Sequence, residues 1–112
     1  MASFEPGDVI KVPFPHTDKP ARQSRPALVV SMATLEDKHR VLWVVMITSA
    51  ENRGWPGDLA VSDLDMAGLP VASVVRTAKI ATIESRDAHR LGCISTGQFG
   101  LVRQQLTTAL GY

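Results

Sequence analysis

Apolar residues in this chain form short runs separated by turn-forming residues, a pattern typical of a mainly β protein. The clearest run is Val41–Ser49, which is apolar through Ile47 and ends in two hydroxyl residues. A second run, residues 26 to about 32, is rich in β-branched residues and follows a polar, cationic stretch. Continuous apolar runs of this length favour strands that are buried on both faces. Pro26 suits the first residue of such a strand, because it has no N–H to donate.

Shorter patterns predict the remaining strands and their connections. Further strands are expected at residues 9–12, 58–61, 72–76 and 79–84. Pro13 and Pro15 end the first of them, because prolines so close together cannot join a ladder. The polar segment 34–40 predicts a hairpin connection, and residues 85–91 predict a helical turn. Residues 51–57 predict a loop, since two glycines and a proline interrupt them.

The last segment has the periodicity of a helix. Ser95 and Gln98 have capping-box spacing at its start, and Gly111 follows its end in the position of a C′ glycine. One apolar stripe recurs between them at three- and four-residue intervals: Phe99, Val102, Leu106, Ala109 and Leu110. Short strands closed by one helix predict an α+β, mainly β fold, a small and strongly bent β-barrel in a single domain over residues 1–112.

Composition excludes several classes of protein. The chain has 112 residues, a net charge of +1 and 45% hydrophobic residues, which fits one ordered globular domain. This net charge is too small to indicate nucleic-acid binding, so any site for a polyanion must come from a local cluster of basic residues. Cys93 is the only cysteine, which excludes a disulfide framework and a cysteine-based zinc site. With no apolar run long enough to span a membrane and no signal-peptide pattern, we expect a cytoplasmic protein.

Candidate chemistry lies in three places that one end of such a barrel could bring together. They are a cationic loop over residues 16–25, the hydroxyls of Thr48 and Ser49, and Arg76 at a strand end. The loop carries His16, Lys19, Arg22 and Arg25 with one carboxylate, Asp18. Cations, hydroxyl donors and an imidazole suit cleavage of RNA, whose own 2′-OH can attack phosphorus without a metal. We also expect residues 16–24 to be mobile in the absence of RNA or a protein partner.

Each of these residues also has a plainer interpretation. Arg25 is equally typical of an arginine that extends its head into water at a strand end. His16 also fits an ordinary loop histidine, since an unperturbed imidazole is merely available near neutral pH. Trp43 is expected in the core, because it lies inside the apolar run. Trp55 lies in a Gly/Pro-rich loop, where a large aromatic side chain is either a lid over a pocket or part of an interface.

Several motifs together resemble the MazF/PemK-type toxins. Residues 4–10, Phe-Glu-Pro-Gly-Asp-Val-Ile, precede residues 25–31, Arg-Pro-Ala-Leu-Val-Val-Ser, as in the opening of that family. The strand end Ile47-Thr48-Ser49 resembles the end of the family's third strand. Residues 73–76, 79–80 and 91–92 also fall in family order, so the resemblance covers nearly the whole chain.

The resemblance implies an SH3-like barrel with an added helix, usually a homodimer. It implies a metal-independent endoribonuclease without a cofactor, the toxin of a type II toxin–antitoxin system, acting on single-stranded RNA. It also implies a cognate antitoxin whose extended tail blocks the RNA groove. The family's catalytic arginine and threonine carry over to Arg25 and Thr48. Auxiliary or RNA-binding roles then fall to His16, Lys19, Arg22, Ser49, Asn52, Arg53, Trp55 and Arg76.

One departure from the family pattern leaves the general base open. In the Kid-like branch an arginine on a later strand and an aspartate two residues on act as acid and base. Arg76 matches that arginine, but Ala78 stands at the aspartate position. His16, Glu51 and Glu84 are alternative bases, which the sequence does not rank. Two other functions therefore stay open, a CcdB-like gyrase-binding toxin and an inactive barrel that only binds its antitoxin.

Overall fold

A computed structural model of the protein describes residues 3–13, 24–52 and 54–112. Six strands and three α-helices lie within them, in the following order. They are β1 (Asp8–Pro13), β2 (Ser24–Val29), α1 (Ala33–His39), β3 (Val41–Ser49), β4 (Leu59–Ala60), α2 (Leu64–Ala67), β5 (Ser73–Glu84), β6 (His89–Cys93) and α3 (Thr96–Leu110). The strands form one antiparallel sheet in the order β4-β5-β3-β2-β1-β6. The prediction of a mainly β fold with a C-terminal helix is confirmed.

Both faces of the central strands are buried, as the continuous apolar runs predicted. On one face Leu28, Val45 and Ile47 pack in a cluster that α3 covers with Val102. On the other face Ala27, Val44 and Met46 belong to a second cluster, against which Phe4 packs. Side chains alternate between the two faces along a strand, so this division fixes the face on which each later residue projects.

The C-terminal helix begins and ends as predicted. The Ser95 hydroxyl oxygen accepts a hydrogen bond from the Gln98 N–H, and Gly111 takes a left-handed conformation after the last turn. Within the predicted stripe Phe99, Val102 and Leu106 pack on the core. The last two members of the stripe, Ala109 and Leu110, are exposed and do not join the core.

Two connections differ from the sequence-based predictions. Residues 34–40 form most of α1 rather than a hairpin turn, since alanine, leucine, glutamate and lysine are good helix formers. Buried Glu36 also anchors this helix by accepting hydrogen bonds from the N–H groups of Ser3 and Phe4, both at 3.0 Å. Residues 85–91 contain only a short 3₁₀ turn before β6, which pairs with β1 although its exposed residues give no apolar alternation.

The bounds of β2 and β5 differ from the predicted ones. β2 begins at Ser24 instead of Pro26, because β1 extends to Pro13 and pairs with it. β2 ends at Val29 rather than near Met32, since the Ser31 hydroxyl there accepts the Trp43 N–H at 3.0 Å. The two strands predicted at 72–76 and 79–84 are one strand, β5, with a register shift opposite Val45 and Met46.

Trp43 is not a core residue. Its side chain is 48% exposed, although the strand around it is apolar. Trp43 projects from the same face as Val45 and Ile47, but it lies further along β3, where exposed Ile80 is a near neighbour on β5. An apolar run therefore predicted the strand correctly but not how far its cover extends.

Candidate active site

The start of β2 and the end of β3 lie side by side in the sheet. The two strands pair with Ala27 opposite Met46. Continuing this antiparallel register by two residues places Arg25 opposite Thr48. Residues directly opposite each other project from the same face with Cβ atoms about 5 Å apart. The fold thus makes neighbours of two residues that are 23 positions apart in the sequence.

A surface cleft of about 310 Å³ opens at these strand ends. Its polar lining includes Arg25, Thr48, Ser49 and Asn52, and its apolar lining includes Leu69. Arg25 is half-buried, so its backbone is held by the sheet while the residue lines the cleft. A guanidinium and a hydroxyl at one cleft are suited to an anionic group such as a phosphodiester.

The Thr48 hydroxyl is held in place by the turn that follows β3. Thr48 is only 7% exposed, and its Oγ1 accepts a hydrogen bond from the Asn52 Nδ2 at 3.2 Å. Asn52 ends a short 3₁₀ turn, Ala50–Asn52, that starts where the Ser49 hydroxyl accepts the Glu51 N–H at 3.3 Å. Because the Thr48 hydroxyl oxygen accepts a hydrogen bond from this amide, the hydroxyl proton remains free to be donated to another group.

Arg76 lies on the same face of the sheet as Thr48 but is committed to internal contacts. It is opposite Met46 on β3, two residues from Thr48. Its Nε donates to Asp58 Oδ1 at 3.2 Å, and its terminal nitrogen donates to Asp58 Oδ2 at 2.9 Å. The same nitrogen donates to the Asn52 carbonyl at 2.6 Å. Arg76 is 7% exposed and is not among the described residues that line the cleft.

A tight turn brings Asp58 to this arginine. Trp55, Pro56, Gly57 and Asp58 form a β-turn in which the Asp58 N–H donates to the Trp55 carbonyl at 3.2 Å. Proline in the second place and glycine with φ +86° in the third are the requirements of a type II turn. The Trp55 ring lies over the Arg76 guanidinium, 4.6 Å from its Cζ to the ring centroid, and stays 44% exposed.

The structure places the other predicted residues unequally. Ser49 and Asn52 line the cleft, and Glu51 is an exposed residue between them in the 3₁₀ turn. Glu84 is at the opposite end of β5 and pairs with Arg86. It lies opposite Val41 on β3, seven residues from Thr48, which is roughly 23 Å at about 3.3 Å per residue. Between the two described candidates for the base, geometry therefore favours Glu51. The predicted residues His16, Lys19, Arg22 and Arg53 lie outside the described residues. So does the predicted mobile loop at 16–24, apart from Ser24, which is the first residue of β2.

Asp58 is the residue that sequence reasoning missed. Ala78 removes the carboxylate expected two residues after Arg76 on its own strand, but Asp58 supplies one from the turn that precedes β4. The pairing of Leu59 with Val75 puts Asp58 directly opposite Arg76 when extended by one residue. The sequence does indicate a turn at residues 55–58 and a strand at 58–61. It does not indicate the register between that strand and β5, which is what brings Asp58 opposite Arg76.

The described part of the chain has neither a cluster of metal ligands nor a helix that could span a membrane. No group of three or more histidine, cysteine, aspartate or glutamate side chains comes close enough there to hold a metal ion. No helix in these residues has the length and apolar character needed to cross a membrane.

Comparison with known proteins decides the family. A family model described as "PemK-like, MazF-like toxin of type II toxin-antitoxin system" matches residues 5–110. The chain belongs to this toxin family. A search of curated protein sequences finds no match. The resemblance seen in the sequence motifs is therefore confirmed by a match over nearly the whole chain.

Solved structures of MazF proteins have the same fold as this family member. MazF from Deinococcus radiodurans superposes with a TM-score of 0.77 at 23% identity, over 96% of either chain. A MazE–MazF complex from the same organism also gives 0.77 at 23% identity, over 96% of this chain and 95% of that one. A mycobacterial endoribonuclease in complex with its cognate antitoxin gives 0.74 at 20% identity, over 99% and 96%. At these identities the likeness shows the fold alone, the predicted MazF-like barrel with a C-terminal helix.

Proposed function

We propose that this toxin-family protein is a sequence-selective endoribonuclease that cleaves single-stranded RNA. The observation that carries the proposal is the meeting of Arg25 and Thr48 at one cleft, where β2 begins and β3 ends. A cation and a hydroxyl donor there would stabilise charge that develops on the phosphoryl oxygens. The mycobacterial protein of the same fold is described as an endoribonuclease, which supports the reaction class.

The proposed reaction is an internal phosphoryl transfer. The 2′-oxygen forms a bond to phosphorus, the bond from phosphorus to the 5′-oxygen breaks, and a 2′,3′-cyclic phosphate and a 5′-hydroxyl result. A base takes the proton of the 2′-OH, and an acid returns one to the leaving oxygen. Arg25 would bind the phosphoryl oxygens with two donors, and Thr48 would add a third. His16 and Glu51 are the candidates for the base, with Glu84 placed too far away.

The test is incubation of the purified protein with a defined pool of single-stranded RNA in EDTA. We expect cleavage with 2′,3′-cyclic phosphate and 5′-hydroxyl ends, at the same rate with and without the chelator. Sequencing the ends gives the recognition sequence. The matched control is Asp65→Asn, which changes an exposed carboxylate in α2 away from the cleft. Absence of cleavage across a broad pool would refute the proposal.

Recognition of unpaired bases is proposed for the turn after β3. Asn52 and Arg53 are in this segment, and the exposed part of the Trp55 ring offers a surface on which a base could stack. Stacking of a base on an aromatic side chain contributes about 1–3 kcal/mol and tolerates any base. Trp55→Ala should therefore weaken RNA binding more than it changes the preferred sequence. Together with Lys19 and Arg22, these residues make up the proposed RNA contacts beyond the cleft.

An antitoxin is the proposed protein partner. Structures of the same fold include a MazE–MazF complex and an endoribonuclease with its cognate antitoxin. We propose that an extended antitoxin tail lies over the cleft and excludes RNA. Leu69 and Val71 can contact apolar side chains of such a tail, and Arg25 and Thr48 beside them can bind its charged groups. Co-expression with the antitoxin should abolish cleavage by the mixture.

A homodimer is the proposed assembly, with an interface of at least about 1,000 Å² in total. Light scattering at micromolar concentration should give twice the mass of the 112-residue chain. A monomer at that concentration would contradict this part of the proposal.

The alternative functions make different predictions. The family match is to PemK-like and MazF-like toxins, which does not favour the gyrase-binding alternative. A gyrase-binding protein would leave RNA intact and inhibit DNA supercoiling, whereas an inactive barrel would do neither and still bind the antitoxin.

A further inference from the structure

We propose that Asp58 and Arg76 are positioning residues that hold Asn52 against the Thr48 hydroxyl and so control its orientation. The inference rests on the proposed function, because it concerns the same cleft. It assigns to Arg76 a supporting role instead of the acid or base role of the Kid-like pattern. It also assigns a role to Asp58, which no sequence motif indicated.

The first step is the rigidity of the Asp58–Arg76 pair. Both side chains are about one-tenth exposed or less, and they meet at 2.9 Å. Two parallel hydrogen bonds, from Nε and from a terminal nitrogen, fix the plane of the guanidinium against the carboxylate. The backbone around the pair is also fixed, because β5 lies between β3 and β4. The guanidinium therefore has one orientation.

The second step is the link from Arg76 to the turn after β3. The terminal nitrogen that contacts Asp58 also donates to the Asn52 carbonyl at 2.6 Å. The Trp55 ring packs over the same guanidinium at 4.6 Å. Arg76 thus holds the turn on both sides of residue 53, at Asn52 and at Trp55. Removing the guanidinium, or releasing it from Asp58, frees this turn.

The third step is the contact of Asn52 with Thr48. The Asn52 side-chain amide donates to Thr48 Oγ1 at 3.2 Å, while its backbone carbonyl is held by Arg76. A hydroxyl that accepts one hydrogen bond has its remaining directions restricted, so its proton can be aimed at a phosphoryl oxygen in the cleft. An ångström of misplacement in such a group can cost about 10²-fold in rate.

The kinetic experiment compares Asp58→Asn and Asn52→Ala in two backgrounds. In the wild-type background each should lower kcat for RNA cleavage by about 10–100-fold. In Asp58→Asn, binding of an uncleavable 2′-deoxy analogue of the same RNA should change by less than about threefold, because the Asp58 carboxylate is buried against Arg76 and is not among the proposed RNA contacts. In a Thr48→Ala background, each variant should change the residual rate by less than about threefold. The matched control Asp65→Asn should leave the rate unchanged in both backgrounds.

The Thr48→Ala background separates positioning from other roles. If Asp58→Asn and Asn52→Ala still lower the rate tenfold there, they do not act through Thr48, and the inference is wrong. If Asp58→Asn weakens binding of the 2′-deoxy analogue as much as it lowers kcat, Asp58 acts on RNA binding and not through Thr48, and the inference is again wrong. Asn52 is exposed, so Asn52→Ala tests the last step even if Asp58→Asn fails to fold.

A spectroscopic measurement tests the connection without any cleavage. The side-chain amide of Asn52 can be identified in a ¹⁵N-labelled protein as the NH₂ signal missing from Asn52→Ala. This signal should shift, and its protons should exchange faster with water, in both Thr48→Ala and Arg76→Lys. It should not change in Asp65→Asn. An unchanged signal in Arg76→Lys would overturn the inference even in a protein that cuts RNA, whereas an inert wild type with the expected shifts would overturn only the proposed function.

Discussion

Arg25 and Arg76 project from the same face of one sheet, yet they stand in opposite situations. Arg76 is inside a 12-residue strand, with Met46 opposite on one side and Asp58 on the other. It is 7% exposed and bonded to Asp58 and Asn52. Arg25 is the second residue of β2, half-buried, at the margin of a cleft. The same side chain thus serves the fold in one place and faces a possible substrate in the other.

The comparison separates two kinds of cost. Removing one partner of a buried ion pair leaves an uncompensated charge and typically costs about 3–5 kcal/mol of stability. Removing a preorganised donor from an active site costs rate and little stability. The sequence predicts a catalytic role for Arg25 and an auxiliary role for Arg76. The internal contacts of Arg76 put it in the first kind, and the proposed function puts Arg25 in the second.

The largest expected effect on activity belongs to Arg25. Arg25→Ala should lower RNA cleavage by about 10²–10³-fold, the cost of losing one preorganised donor to a developing anion. Arg25→Lys should not restore the rate, because an ammonium lacks the two-pronged fork. Single-turnover rates on one RNA measure both variants, and circular dichroism checks that the fold is kept. Cleavage by folded Arg25→Ala at the wild-type rate would show that the site is assigned wrongly.

Thr48→Ala should have a comparable or smaller effect on the rate. The threonine contributes one hydroxyl donor. Its removal also breaks the hydrogen bond that the Asn52 side-chain amide donates to the hydroxyl oxygen. Thr48→Ser keeps the hydroxyl and should recover most of the rate, while Thr48→Val fills the space without a donor and should not. The same single-turnover assay applies. Equal rates for Thr48→Ser and Thr48→Val would remove the hydroxyl from the mechanism.

Arg76→Ala should cost mainly stability, whereas Arg25→Ala should cost mainly catalytic rate. We expect a loss of about 3–5 kcal/mol in the free energy of unfolding, because Asp58 is left buried without its partner. The rate of the folded fraction should fall less than in Arg25→Ala and no further than in Thr48→Ala. Urea titration gives the stability, and the double variant Asp58→Ala with Arg76→Ala is the control. The double variant should be more stable than Arg76→Ala, since it has no orphaned carboxylate.

The elements that the sequence predicted correctly are those with a strong local signal. Residues 41–49 form a strand with the predicted bounds, because a long apolar run can be buried on both faces only in the middle of a sheet. The cap at Ser95 and the glycine at 111 mark the last helix equally well. Arg25 and Thr48 were singled out by family motif, and the register of β2 with β3 explains why that motif pairs them.

What the sequence could not predict depends on distant partners. The polar pattern of segment 34–40 predicts a hairpin connection, and only the contacts of Glu36 with Ser3 and Phe4 show why a helix is held there. The exposure of Trp43 depends on which elements pack over its end of β3, and its own apolar run does not indicate them. The pairing of Asp58 with Arg76 depends on a strand register that no local pattern encodes.

The smallest expected effect concerns the turn that delivers Asp58 to Arg76. Gly57 has φ +86°, and a Cβ built on it would lie 2.9 Å from the Gln105 side-chain oxygen. Because an L-residue with a Cβ is strained in this conformation, Gly57→Ala should lower the free energy of unfolding by about 1–2 kcal/mol. The matched control is Gly100→Ala inside α3, where nothing lies within 4 Å of the added Cβ. That change should raise stability by about 0.5–1 kcal/mol, since glycine is unfavourable in a helix interior. Urea titrations of the two variants should thus shift in opposite directions. If Gly57→Ala is neutral, the turn at 55–58 can relax without strain, and the tight placement of Asp58 beside Arg76 must come from the pairing of β4 with β5 alone.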